Sequence, residues 1–112
     1  MKNDNITFNV TKQFSRTPSA RIAKEGKYPG SELRNIITPL IKKAIKEKGT
    51  FTIILDGAAG YGTSFLEEVF GGLVRIEHIP YQDLVRTLNI VSDEEPELIE
   101  EIWDDIKEAA EI

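Results

Sequence analysis

The chain contains no cysteine, and single copies of histidine, tryptophan and methionine, among its 112 residues. The missing cysteine excludes a disulfide framework, a thiolate nucleophile and a thiolate metal site. His78 is the lone imidazole and no histidines and carboxylates stand at ligand spacing, so no metal is expected. Long apolar runs are missing too. Nothing approaches the ~20 residues needed to cross a bilayer. The opening MKNDNITFNV has no hydrophobic core of a signal peptide, so the expectation is a cytoplasmic protein without membrane contact.

Catalytic signatures are equally scarce. Nucleophilic hydrolysis needs a base beside a serine, and Gly62-Thr63-Ser64-Phe65-Leu66 does not follow G-x-S-x-G. Glu67 and Glu68 are adjacent, so on a helix they diverge. No catalytic residue and no cofactor is expected, and the chain reads as a protein that is not an enzyme.

What is present is an ordinary globular mixture, 40% hydrophobic and 29% charged, sized for a single domain over residues 1–112. The net charge of −5 hides an asymmetry: residues 1–48 carry +7, residues 49–76 carry −2 and residues 77–112 carry −10. Such polarity steers partners or pairs one face against another, and solvated faces are the simpler reading. The acidic half would repel the phosphates that the basic half attracts, which argues against nucleic acid. Nothing in the sequence fixes the oligomeric state.

Residues 6–10 alternate apolar and polar, the period of a half-buried strand. Residues 14–30, FSRTPSARIAKEGKYPG, form a long basic arm, with a short strand expected near Phe14. Ser31 is the expected N-cap of a helix with Leu33, Ile36, Ile37, Leu40, Ile41, Ala44 and Ile45 on one stripe, ended by Gly49. Pro39 inside that stripe predicts a kink, or a restart capped by Thr38. Residues 51–55, FTIIL, read as a buried strand. A helix carrying Phe65, Leu66, Val69, Phe70, Leu73 and Val74 follows, and residues 75–79 are ambiguous between helix tail and strand. Pro80 opens a short helix, residues 88–91 form another strand, and Ser92 to Glu95 fits a capping box before an acidic last helix. The fold class is α/β: a small mixed sheet of about four strands covered by helices, with a parallel right-handed crossover from the 51–55 strand to the 88–91 strand and the early strand pairing antiparallel at the other side.

Between the central strand and its helix lies the segment with the most chemistry. Asp56 closes the strand, Gly57, Gly60 and Gly62 make a loop, and Thr63-Ser64 opens the helix. This layout suits holding a phosphate, or presenting a hydroxyl to receive one. Gly57 to Ser64 nearly matches G-x-x-x-x-G-K-[ST], but Thr63 stands where the lysine belongs, so nucleotide hydrolysis is not expected. A purely architectural reading leaves Thr63 or Ser64 as a helix cap and Asp56 capping the loop's own amides. That reading explains little of a solvent-prone Tyr61 between two glycines. The candidate partner- or ligand-binding residues are Asp56, Gly57, Gly60, Tyr61, Gly62, Thr63, Ser64 and Phe65, with Arg16, Arg21 and Arg34 as a basic arm beside them.

Four stretches carry a family likeness: FSRTPSAR (residues 14–21), EGKYPGSELR (25–34), LDGAAGYGTSFLEEVFGGL (55–73) and IVSDEEPELIEEIW (90–103). Together they resemble the STAS-like domains of unknown function (DUF4325) of bacteria and phages, related in fold to anti-sigma-factor antagonists. The resemblance implies a small mixed sheet covered by helices, in proteins found beside, or fused to, histidine-kinase-type ATPase domains. In the antagonists a partner kinase phosphorylates a serine at a helix start after a strand ending in Asp. Here that acceptor position falls on Ser64 or Thr63, although the antagonist pattern D-S-x-G is absent.

The leading expectation is therefore a non-enzymatic regulatory module that binds a protein partner through the loop, with phosphorylation at Thr63 or Ser64 by such an ATPase as its switch. The alternatives are a nucleotide or anion sensor at the 57–64 loop, aided by Arg16, Arg21 and Arg34, and an accessory protein of a mobile-element or phage-defence operon.

Overall fold

The computed structural model describes residues 5–18 and 29–112. In chain order it contains β1 (Asn5–Asn9), α1 (Val10–Gln13), α2 (Gly30–Lys46), β2 (Thr50–Ile54), α3 (Thr63–Leu66), a π-helical turn (Glu67–Gly71), α4 (Gly72–Arg75), α5 (Tyr81–Thr87), β3 (Leu88–Val91) and α6 (Glu97–Ala109). α3, the π turn and α4 run on without a break, so residues 63–75 act as one helix.

The α/β class is as the sequence implies, but the sheet differs in detail. Among the described residues it has three strands rather than four, in the order β1-β2-β3, and every pairing is parallel. β1 does not pair antiparallel: Ile6 lies beside Phe51 and Phe8 beside Ile53 in parallel register. The reason is the connection. A strand joined to its neighbour through a 17-residue helix returns to the same end of the sheet before it pairs. The second crossover, through the 63–75 helix and α5, does the same for β2 and β3.

The sheet is covered on one face. Phe8, Phe51, Ile53, Leu88 and Ile90 are buried and share that face with the apolar stripes of the helices, including Leu33, Ile37, Ile41, Phe65, Phe70, Leu73, Leu84, Ile102 and Ile106. The opposite face carries Thr7, Thr52 and Asn89 in one row, with the Asn89 amide donating to Thr52 Oγ1 at 3.3 Å. Parallel strands are usually buried on both faces and read as continuous apolar runs. Here the alternation visible in residues 6–10 is the signature of the open face.

Several local expectations are corrected. Phe14 is not in a strand but follows α1, its amide donating to Val10 O at 2.9 Å. α2 begins at Gly30 after Pro29, so Ser31 lies inside the first turn and is not the cap. Pro39 neither breaks nor restarts α2. Thr38 turns its hydroxyl back to Arg34 O at 2.7 Å instead of capping a new helix. The ambiguous 75–79 stretch is helix tail and turn, closed by Ile79 N to Leu73 O at 3.0 Å. Ser92 does not accept from a helix amide as a capping box requires; its hydroxyl donates to Glu95 O at 2.7 Å.

Candidate functional site

β2 is the central strand, and its carboxyl end delivers Asp56 to the edge of the sheet where parallel α/β folds place their loops. Asp56 does not cap its own loop. Its carboxylate accepts from the backbone amides of Asp93 (3.1 Å) and Glu94 (2.8 Å), in the segment that follows β3. Glu94 returns the contact, its Oε1 accepting from the Gly57 amide at 2.8 Å. This reciprocal pair of carboxylate–amide bonds clamps the β2 and β3 loops together, and charged acceptors make such bonds stronger than neutral ones. Glu94 was not among the sequence candidates. A carboxylate 37 residues away in the chain gives no local signal, beyond being the residue after the Ser92-Asp93 turn.

The other flank is held as well. Gly57 has φ +94°, and a Cβ there would lie 3.1 Å from Thr11 Oγ1, so the chain passes close against α1. The Ala59 amide donates to Arg16 O at 2.8 Å, which sets Arg16 beside the loop, with its own side chain exposed. Tyr61 is not solvent-prone. Its hydroxyl donates to Leu55 O at 2.8 Å, and its ring packs 6.0 Å from that of Phe65, which in turn meets Phe14 at 6.5 Å. Burial, followed by the negative charges of Asp56, Glu94 and Glu95, pushes the Tyr61 phenol well above its ordinary pKa, so it stays a neutral donor. Phe65 is only 1% exposed and belongs to the core rather than to a contact surface.

With both flanks fixed, what the loop offers outward is short. Gly60 and Gly62 have open space where a Cβ would stand. Thr63 and Ser64 are exposed on the first turn of the 63–75 helix, and neither hydroxyl is engaged by another described residue. Gly62, the residue before the helix, supplies no side-chain cap.

The basic arm does not assemble as a unit. Arg16 stands by the loop, and Arg21 lies outside the described residues. Arg34 is 6% exposed in the α2 interface. Its Nη1 donates to Glu68 O and Glu68 Oε2, both at 2.6 Å, and its Nε to Glu77 Oε2 at 3.1 Å. A guanidinium committed to two carboxylates and a carbonyl is not free to grip an anion at the loop. The signal was present in the sequence: Arg34 stands on the buried stripe of α2, where a charge requires an internal partner. Two open hollows in the described surface lie elsewhere, one lined by Ile45, Lys48, Gly49, Arg86 and Thr87 and one between α5 and α6. Among the described residues, no group of His, Asp or Glu could hold a metal ion, and no helix is long and apolar enough to cross a membrane.

This arrangement of central strand, clamped glycine loop and hydroxyl-bearing helix start falls within a family match. The model of the STAS-like domain of unknown function (DUF4325) covers residues 30–98. The chain belongs to this family. The match runs from the start of α2 through β2, the loop, the 63–75 helix, α5 and β3 into the first turn of α6. It leaves outside it β1, the Phe14–Arg21 stretch and most of α6. No curated protein and no solved structure matches the chain significantly.

Proposed function

We propose that this STAS-like domain is a non-enzymatic regulatory module. It docks a protein partner on the surface formed by the 57–64 loop and the start of the 63–75 helix. Ser64 or Thr63 is the phosphoacceptor through which a histidine-kinase-type ATPase switches that docking. The observation that carries the reading is the contrast at the loop. Its backbone is pinned by Asp56, Glu94 and Arg16, while the two adjacent hydroxyls at the helix start are exposed and unengaged. A rigid platform presenting a free hydroxyl is what a modifying enzyme requires, and a phosphate added there would face the positive end of a helix. Its charge of roughly −2 would change the docking surface without a change of fold.

The side-chain charges on the Tyr61 flank weigh against a nucleotide or anion sensor that spans this loop. Asp56, Glu94 and Glu95 make the surroundings of Tyr61 negative, and Arg34 is not available to offset them.

The test is to incubate the protein with the ATPase-type product of a neighbouring gene and ATP, then measure intact mass. The expected result is a gain of ~80 Da, one phosphoryl group replacing a hydroxyl proton. The gain should vanish in Ser64→Ala or Thr63→Ala, and complex formation should differ between the two forms. The absence of both a complex and a mass gain would overturn the proposal.

A further inference from the structure

Away from the loop, α5 and α6 leave an open hollow of about 400 Å³ lined by Tyr81, Val85, Glu100, Trp103 and Lys107. The rings of Tyr81 and Trp103 stand 6.5 Å apart at 86°, an edge-to-face pair lining the hollow. Both rings are half-buried, and Val85 beside them is 49% exposed and adds an apolar edge to the hollow. Glu100 lies one turn before Trp103 on α6 and adds a carboxylate to the rim. Glu97 and Asp104 extend the negative charge along the same helix, both exposed.

We propose that this hollow docks a basic peptide segment of a partner protein, an arginine of that segment seating against the Tyr81–Trp103 pair and pairing with Glu100. Aromatic faces attract a cation through their quadrupoles, and a guanidinium can stack on one ring while its N–H groups reach a carboxylate. The acidic run of α6 supplies the long-range complement that a segment with several basic residues satisfies and a neutral or acidic one does not. Lys107, one turn beyond Trp103, is a resident cation on the same rim and opposes the incoming one. The site involves no residue of the 57–64 loop, so its failure leaves the reading of that loop untouched.

Trp103 is the chain's only tryptophan, so its fluorescence reports on this hollow alone. The probe is a capped peptide of alternating arginine and glycine, titrated into the folded protein at low and high salt. The expected result is a saturable change in Trp103 emission that weakens with salt. Affinity should fall about three- to tenfold in Glu100→Gln and rise in Lys107→Gln. Both substitutions are at exposed positions on α6 and leave the core intact. Four outcomes would overturn the proposal. One is no saturable change up to millimolar peptide, and another is an equal change with a glutamate–glycine peptide. The third is binding of free arginine amide as tight as that of the peptide, which would make the hollow a small-cation site. The last is an emission change driven by protein concentration alone, which would assign the face to a second copy of the chain.

Discussion

At the scale of single residues, two left-handed positions make opposite predictions. α2 ends in a double turn in which Lys48 donates to Ile45 O (3.1 Å) and Gly49 to Ala44 O (2.8 Å). The residue in the left-handed conformation is Lys48, with φ +59°, not the glycine after it. Lys48→Gly removes a Cβ penalty and should stabilise the fold by about 1 kcal/mol, read as a rise of several degrees in Tm. At Gly57 the native residue already matches φ +94°, so Gly57→Ala should destabilise by about 1–2 kcal/mol and crowd Thr11. Thermal melts of both variants check the pair of signs, and equal signs would refute the argument. The Lys48 case shows why the helix end was legible only to within one residue. Glycine marked the neighbourhood, but which residue takes the left-handed turn depends on where the last helical hydrogen bond closes. Tyr61 was misread for a related reason. Its glycine neighbours imply exposure, yet the Leu55 carbonyl that receives its hydroxyl becomes reachable only once the loop has folded back.

Among elements, the contact of α2 with the π turn is the point of greatest sensitivity. Arg34 and Glu68 are each 6% exposed, and Gly72 sits where a Cβ would lie 2.6 Å from Arg34 Nη1. A charge taken out of water this far costs several kcal/mol unless its partners are in place. Arg34→Met removes the buried cation that Glu68 and Glu77 share and should cost about 3–5 kcal/mol, and Gly72→Ala, which displaces the guanidinium, about 1–3 kcal/mol. The double variant Arg34→Met with Glu68→Leu should recover most of the first loss, because it removes both charges. Denaturant melts measure all three, and a double variant no more stable than the single one would show that the pair holds the interface by more than mutual neutralisation. The helices themselves were legible as apolar stripes at helical spacing, α6 most clearly. The π turn was not. Its inserted residue leaves the apolar pattern of Phe65, Leu66, Val69, Phe70 and Leu73 readable as an ordinary helix, and only the buried Glu68 betrays it.

Across the whole molecule, the sidedness of the sheet and the charge asymmetry meet at α6. The strands were legible, β1 from alternation and β2 from its β-branched and aromatic run, and so was the parallel crossover from β2 to β3, but the direction of β1 was not. Parallel pairing of β1 follows from the crossover that α2 makes, a property of the connection rather than of residues 5–9. The acidic C-terminal third likewise read as a solvated face, yet one of its carboxylates turns inward. Asp105 Oδ2 is sheltered and without a hydrogen-bond partner, on the side of α6 that packs against the 63–75 helix. Loss of solvation, with the charges of Glu67, Glu101, Glu108 and Asp104, raises its pKa from 3.8 to about 6. The nearby cation, Arg75, is held by Glu67 at 2.6 and 3.2 Å and does not pair with it. The sign follows from proton counts. Between about pH 4 and pH 6 the folded chain binds a proton at Asp105 that the unfolded chain has released, so stability falls as pH rises through this window. The group is partly exposed, and after solvent screening the loss is on the order of 1 kcal/mol. Asp105→Asn removes the charge while keeping the shape. It should therefore be more stable than the parent at pH 7.5, while the two converge near pH 4. Urea melts of both proteins across this range provide the measurement, and a stability difference that stays constant with pH would exclude Asp105 as the titrating group.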